Sequence, residues 1–424
     1  MHIKNLAARL EAWLTSARNF FFILIGFSIP LSTAGISISF GMLFILWLID
    51  RNFVLKFQNI RQNPVFLAVL AFFALHVIGL SWLEAPEPVN GFKSWMIFLI
   101  PVLATAVDTN TAKRGIYAFV VAMMIAESYV YANILANWDA YINLRPFAPL
   151  IEGRYFISGS RVSYNPMLAF AIALLLATLL AGYYKRGLRR GVAIFFLLTM
   201  VVNMFMTEGR AGHVAFIFVW LVLSVYFLRG RWVALAGMLG SLAVILTLAF
   251  SYSPVFKSRI MQAQSDLMSY QDSQYLQKDN GDRGTSVGRR LFYTEQTLRA
   301  SLKKLWIGYG TGSFEYAYSQ QMADNPSAVP NTDNPHNHHA LILVQFGLVG
   351  LLIYLVIYGT QLWMFRRMPA AYEYRGLALL LPLFFGLINM YDTYLWGHQL
   401  QSLFAYLTAI FYRRDMWESV QSRR

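Results

Sequence analysis

Three short stretches of this chain place cations or imidazoles beside small, turn-forming residues at the edge of an apolar run. The first is Thr207-Glu208-Gly209-Arg210-Ala211-Gly212-His213, a tight turn whose glycines allow close backbone approach. Arg210 serves there as an anion clamp, or as a snorkelling side chain paired with Glu208. The second, Gly284-Thr-Ser-Val-Gly-Arg289-Arg290-Leu-Phe-Tyr, opens an amphipathic segment. Arginine in a first helical turn opposes the helix dipole, so a bound phosphate would offset its cost. Of the pair, Arg290 lies beside Leu291 on the apolar side and Arg289 faces solvent; two solvated arginines are the alternative.

The third stretch, Asn334-Pro335-His336-Asn337-His338-His339, gathers three of the seven histidines. Their spacing does not align three metal ligands on one helix face, and no cysteine or paired carboxylate joins them, so metal is not expected. Histidine titrates near neutrality and suits general-base work. The acting imidazole stays open among His336, His338 and His339. Asn337 doubles as a helix cap. A weaker fourth stretch, Ser160-Arg161-Val-Ser-Tyr-Asn165-Pro166, enters an apolar run from the same face. Glu127 and His398 lie within apolar runs, where ionisable groups are functional or packing elements. Gly308-Tyr-Gly-Thr-Gly312 reads as a turn, and no nucleotide or hydrolase fingerprint occurs. Together these residues are phosphate clamps plus a base.

The elements that must carry them are membrane helices. The 424 residues are 57% hydrophobic and only 13% charged, about half the charge of a soluble domain, which excludes a soluble enzyme, a coiled coil and disorder. The absence of cysteine removes disulfides and thiolate chemistry. Twelve apolar runs approach membrane-spanning length, at 19–32, 34–50, 64–82, 93–108, 114–136, 165–184, 191–208, 211–228, 232–250, 338–364, 375–390 and 393–412. The first, behind Lys4, Arg9 and Arg18, reads as a retained helix rather than a signal peptide. With a cytoplasmic N-terminus, 21 of the 35 Lys and Arg fall inside, as the positive-inside rule requires. The net charge of +14 is then a topology signal, and no nucleic acid is expected.

The expected organisation is nine spans over 1–250, a large periplasmic loop over 251–337, and three spans with a short cytoplasmic tail over 338–424. Within the loop, Val287, Leu291, Leu298, Leu302 and Leu305 recur at helical spacing. They predict an amphipathic helix capped by Thr285 or Ser286 that lies against the membrane or the bundle. A weaker helix is predicted over 255–270. The shorter outer loop is 137–164.

Taken in order, these motifs resemble the O-antigen ligase and polymerase superfamily. Thr207-Glu-Gly-Arg210 is similar to that family's Thr-x-Ser-Arg turn, with glycine in place of serine. Thr285-Ser-Val-Gly-Arg-Arg290-Leu, followed by Trp306-Ile-Gly-Tyr-Gly-Thr-Gly-Ser-Phe314, is similar to its large-loop signature. His336-Asn337, ahead of Gly347-Leu-Val-Gly350, resembles its His-Asn segment; a second family histidine is replaced here by Asn334.

The resemblance implies an all-α, GT-C-like polytopic protein of about twelve spans in the bacterial inner membrane, its active site on the periplasmic face. It implies an inverting glycosyltransferase that uses no cofactor or metal and moves a polysaccharide from undecaprenyl diphosphate to a sugar hydroxyl of lipid A–core, with membrane lipids as further partners. Arg210, Arg290 and Arg161 would bind the diphosphate and His336 would be the base, with His338 as runner-up and Asn337 and Arg289 supporting. One large outer loop favours the ligase over a polymerase, and the short tail disfavours a protein O-oligosaccharyltransferase. A lipid-linked glycan transporter is the non-enzyme alternative, less favoured because the polar residues cluster at one surface.

Overall fold

Polar side chains start the helices where the sequence turns apolar. Ser32 accepts from the Gly35 amide at 3.0 Å, Asn63 from Val65 at 3.0 Å, Asp108 from Thr111 at 2.7 Å and Asn337 from Ala340 at 3.1 Å. Each satisfies a donor the first helical turn leaves open. The computed structural model describes residues 2–50, 52–84, 88–183, 187–271, 286–324 and 332–421. Thr285, one of the two expected caps, lies outside them; Ser286 is the first residue of its helix.

The longer helices are α1 (His2–Ser28), α2 (Thr33–Ile49), α3 (Pro64–Ile78), α4 (Thr109–Ala136), α5 (Arg161–Leu180), α6 (Leu188–Met206) and α7 (Arg210–Leu228). They continue as α8 (Trp232–Tyr252), α9 (Pro254–Gln271), α10 (Ser286–Leu302), α11 (Phe314–Asp324), α12 (His338–Arg367), α13 (Arg375–Ile388) and α14 (His398–Phe411). No strand occurs among the described residues.

Among the described residues, seven helices are long and apolar enough to cross a membrane, or up to eight if α2 and Phe53–Arg61, bent by 115°, form one span. The chain is therefore a multi-pass membrane protein. Of the about twelve spans expected, seven or eight meet this measure; all twelve apolar runs are largely helical, but several are short. Residues 93–108 form two pieces, Trp95–Phe98 and Ile100–Ala106, and α13 and α14 have 14 residues each. These are shorter than the roughly 20 residues a bilayer requires. Burial supplies the reason for α14, which is enclosed by protein over nearly its whole length and presents little surface to lipid. With α5, buried from Tyr164 to Ala177, it forms the centre of the bundle.

Contacts between distant residues define two ends. At one, Asn63 Nδ2 donates to the Tyr412 carbonyl at 2.8 Å, and the Arg18 guanidinium pairs with Asp50. At the other, Ser37 and His398 Nε2 are 2.8 Å apart. The starts of α5, α7 and α10 and the turn before α12 lie at this second end, around one cavity.

The long segment after α8 is docked onto the bundle. Residues 305–310 pair with an unwound stretch of α12, where Tyr309 N donates to Val344 O at 3.1 Å, Gly310 N to Gln345 O at 2.8 Å and Leu348 N to Leu305 O at 2.8 Å. Unwinding centres on Gly347, whose φ of +63° breaks the helix. A Cβ there would lie 2.3 Å from the Trp306 carbonyl carbon. The helix α10 packs through Gly288, Phe292, Tyr293, Thr297 and Ala300, whereas Leu291, Leu298 and Leu302 are exposed. Of the two surfaces expected to receive the leucine face, the bundle is thus excluded: small and aromatic residues fill that role because they permit closer packing against α11 and α12. The weaker expected helix is α9.

Replacing Gly347 by alanine is expected to lower the melting temperature of the detergent-purified protein, because a left-handed backbone alone costs about 1–3 kcal/mol and the carbonyl at Trp306 must also move. A melting curve unchanged from wild type would show that this docking contributes nothing to stability.

Candidate active site

Local structure brings each arginine to the same end by a different route. Ser160 and Ser163 form a capping box, which fixes Arg161 as the first residue of α5. The turn after α6 is pinned where Thr207 Oγ1 donates to Asn165 Oδ1 at 3.0 Å, and Arg210 then opens α7. Arg290 lies one turn into α10. These three, with His336, line a single cavity of about 440 Å³. Three helix N-termini border it, and each adds positive potential. Arg259 of α9 lines it as well, so four guanidiniums converge there.

Their partners are carboxylates at the cavity edge. Glu208 pairs with both Arg161 and Arg259. Arg210 pairs instead with Asp266 at 3.0 Å and not with Glu208, the partner expected if it only snorkelled. All four arginines remain partly exposed, so the cavity keeps cationic donors free to meet an anion. Arg289 and His338 are not among the residues that line it.

His336 is held from several directions. Its backbone has φ +52°, an uncommon conformation outside glycine, and its amide donates to Asn334 Oδ1 at 2.8 Å. The ring stacks near Tyr293, with centroids 6.0 Å apart and planes 23° apart. Its Nδ1 is 3.0 Å from Asp392 Oδ1. With Asp392 ionised, Nδ1 carries the donated proton and Nε2 is left as the acceptor, the arrangement of an oriented general base.

Asp392 also accepts from the Thr393 amide at 2.8 Å, and its Oδ2 lies 3.4 Å from Arg290. Burial pushes this carboxyl up, but the hydrogen bond and charge of His336, the Arg290 charge and the Thr393 amide outweigh it and hold the group below the ordinary range. Burial and the Asp392 charge raise the neighbouring Tyr394 phenol above its ordinary value.

His338 is fully buried, its ring near Tyr354 with centroids 5.5 Å apart, and its amide donates to the Asn389 carbonyl at 2.8 Å. His339 Nε2 meets the Gly386 carbonyl at 3.0 Å. Asn337 is the cap of α12, and Asn334, where the family often has histidine, fixes the His336 turn. Among the described residues no three His, Cys, Asp or Glu side chains converge as metal ligands.

Two side chains of this arrangement escaped the sequence reading. Asp392 is the only acid between Glu373 and Asp415, an isolated charge at an apolar helix end, and that isolation was a usable signal. Arg259 sits in a helix whose periodicity is weak.

Fold and site thus define a helical multi-pass membrane protein with a cationic cavity and an oriented histidine at one end. Residues 195–355 match the family model described as O-Antigen ligase, a likeness consistent with the O-antigen ligase/polymerase superfamily. The match includes Arg210, Arg259, Arg290 and His336, while Arg161 and Asp392 lie outside it. The family's enzymes are glycosyltransferase-like and act on lipid-linked polysaccharides. No curated protein matches the chain.

Because the folded-state value of Asp392 lies below the ordinary 3.8, its ionised form stabilises the fold above that pH, and this contribution is lost as pH falls through the lowered value. The melting-temperature gap between wild type and Asp392→Asn is expected to be widest near pH 7 and to narrow as pH drops below about 4. A gap constant across that range would mean that the ionised carboxylate does not stabilise the fold.

Proposed function

We propose that the protein is an O-antigen ligase, an inverting glycosyltransferase of the bacterial inner membrane with its cavity on the periplasmic face. It would move polysaccharide from undecaprenyl diphosphate to a sugar hydroxyl of lipid A–core. One observation carries the reading: Arg161, Arg210, Arg259 and Arg290 border the same cavity as the Asp392-oriented His336. A diphosphate is the anion that four guanidiniums fit best, since each offers fork-shaped donors to phosphate oxygens.

In the reaction, the acceptor hydroxyl oxygen bonds to the anomeric carbon while the bond from that carbon to the diphosphate oxygen breaks. The hydroxyl proton passes to His336 Nε2, and Asp392 stabilises the imidazolium through Nδ1. The lipid diphosphate leaves with the bonding electron pair, and the arginines stabilise the charge it gains. Single displacement inverts the anomeric configuration. The bond being broken is already activated, so the reaction needs no nucleotide. Guanidiniums supply the charge stabilisation, so the mechanism does not call on a metal.

Position supports His336 over His338 as the base. His336 borders the cavity, while His338 is buried away from its lining. Asn337 contributes by capping α12, and Arg289 by adding charge on α10.

Transfer by purified protein, with lipid-linked donor and lipid A–core acceptor, is expected to fall at least ~100-fold in Arg290→Ala and in His336→Ala, and to change little in His338→Phe. Near-wild-type turnover in Arg290→Ala would remove the clamp, and full loss of transfer in EDTA would remove the metal-free mechanism. Counting the repeat units joined per event separates the ligase from a polymerase: a finished block in one step supports the ligase, and stepwise growth overturns it.

A further inference from the structure

A second cavity, a groove of about 580 Å³, adjoins the cationic one, and Val162 and Tyr394 line both. The two differ in chemistry. The groove is bordered by Lys93, Ser160, Asn334, Asp392, Trp396 and Gln399, a mixture of ammonium, hydroxyl, amide, carboxylate and indole with no cluster of one sign. Its two carboxylates, Asp392 and Asp333, disfavour a free anion and its polar walls disfavour an acyl chain. A hydroxylated sugar, which both donates and accepts at each position and has an apolar ring surface, matches such a lining.

Two observations indicate a built site. Gln399 is 3% exposed, yet its Nε2 has no hydrogen-bond partner among the described residues, an arrangement that leaves a costly open donor. Beside it stands Gly159, with φ +72°, where a Cβ would lie 2.1 Å from Gln399 Oε1 and 2.4 Å from Ser163 Oγ. Glycine therefore keeps the groove open at the amide. The opposite wall is firm: Lys93 Nζ sits 4.7 Å from the Trp396 ring centroid, the Lys93 carbonyl accepts from Gln401 at 2.9 Å, and Ser94 Oγ donates to the Leu395 carbonyl at 2.7 Å.

We infer that this groove holds the acceptor saccharide, with Gln399 and Trp396 as specificity determinants; the inference rests on the transferase reading above. Direct displacement sets the attacking hydroxyl and the leaving diphosphate on opposite sides of the anomeric carbon. With the diphosphate among the arginines, the hydroxyl enters from the neighbouring groove. Asn334 and Asp392 line that groove and both hydrogen-bond His336, so the base stands at the boundary between the two cavities.

The test measures KM for donor and acceptor separately in Gln399→Leu and Trp396→Ala, and calorimetric binding of core oligosaccharide freed of its lipid and phosphates. Acceptor KM is expected to rise about tenfold, the effect of one lost hydrogen bond or stacking surface, with donor KM unchanged. The unchanged donor KM also reports that the variants are folded. Acceptor KM at the wild-type value in both variants overturns the assignment, and so does a rise confined to donor KM, which would give the groove to the donor glycan. Binding needs no turnover: wild type that binds the oligosaccharide through Gln399 but transfers nothing would sink the transferase reading and leave a saccharide groove standing.

Discussion

The buried carboxylate of Asp392 is the constraint on which the site depends. It lies in the short connection between α13 and α14, accepts from the His336 ring and from the Thr393 amide, and faces Arg290 across 3.4 Å. Burying a lone charge is expensive, so this one persists only because three elements meet at it. In doing so it ties α10, the turn before α12 and the α13–α14 connection together, and it fixes which nitrogen of His336 is free. Charge satisfaction and orientation of the imidazole here are one interaction.

A second constraint acts from the other side of the same helix. α12 is unwound at Gly347, and its freed carbonyls at Val344 and Gln345 accept from Tyr309 and Gly310. A broken helix inside a membrane is tolerated where protein supplies the missing hydrogen bonds, and the docked 305–310 segment supplies them. The segment that carries Arg290 is thereby anchored at its far end to the helix that follows His336. Its exposed leucines, with Trp306 and Ile307, face away from the bundle and form an apolar surface of the kind that rests in a membrane interface.

The two adjoining cavities divide the chemistry between them. One is cationic and bordered by helix N-termini; the other is polar, of mixed sign and partly aromatic. If the first takes an anion and the second a saccharide, as proposed, their separation, with the His336 imidazole at the boundary, lets each be tuned without weakening the other.

The sequence by itself determined the membrane class and the chemical parts. Apolar runs near bilayer length, the basic segments between them and the scarcity of charge are properties of local composition, legible without coordinates. So were Arg161, Arg210, Arg290 and His336, because a charge at the end of an apolar run stands out against its neighbours. The number of full-length spans was not legible, since hydropathy cannot tell a helix buried in protein, such as α14, from one facing lipid. Nor was the packed face of α10, where leucine periodicity pointed to the surface that turns outward. Only the tertiary structure decided that Arg259 joins the cavity, that Asp392 orients His336, and that His338 is buried away from it. The His336–Asp392 contact joins residues 56 positions apart, and such geometry is set by how helices pack, which no spacing along one segment encodes.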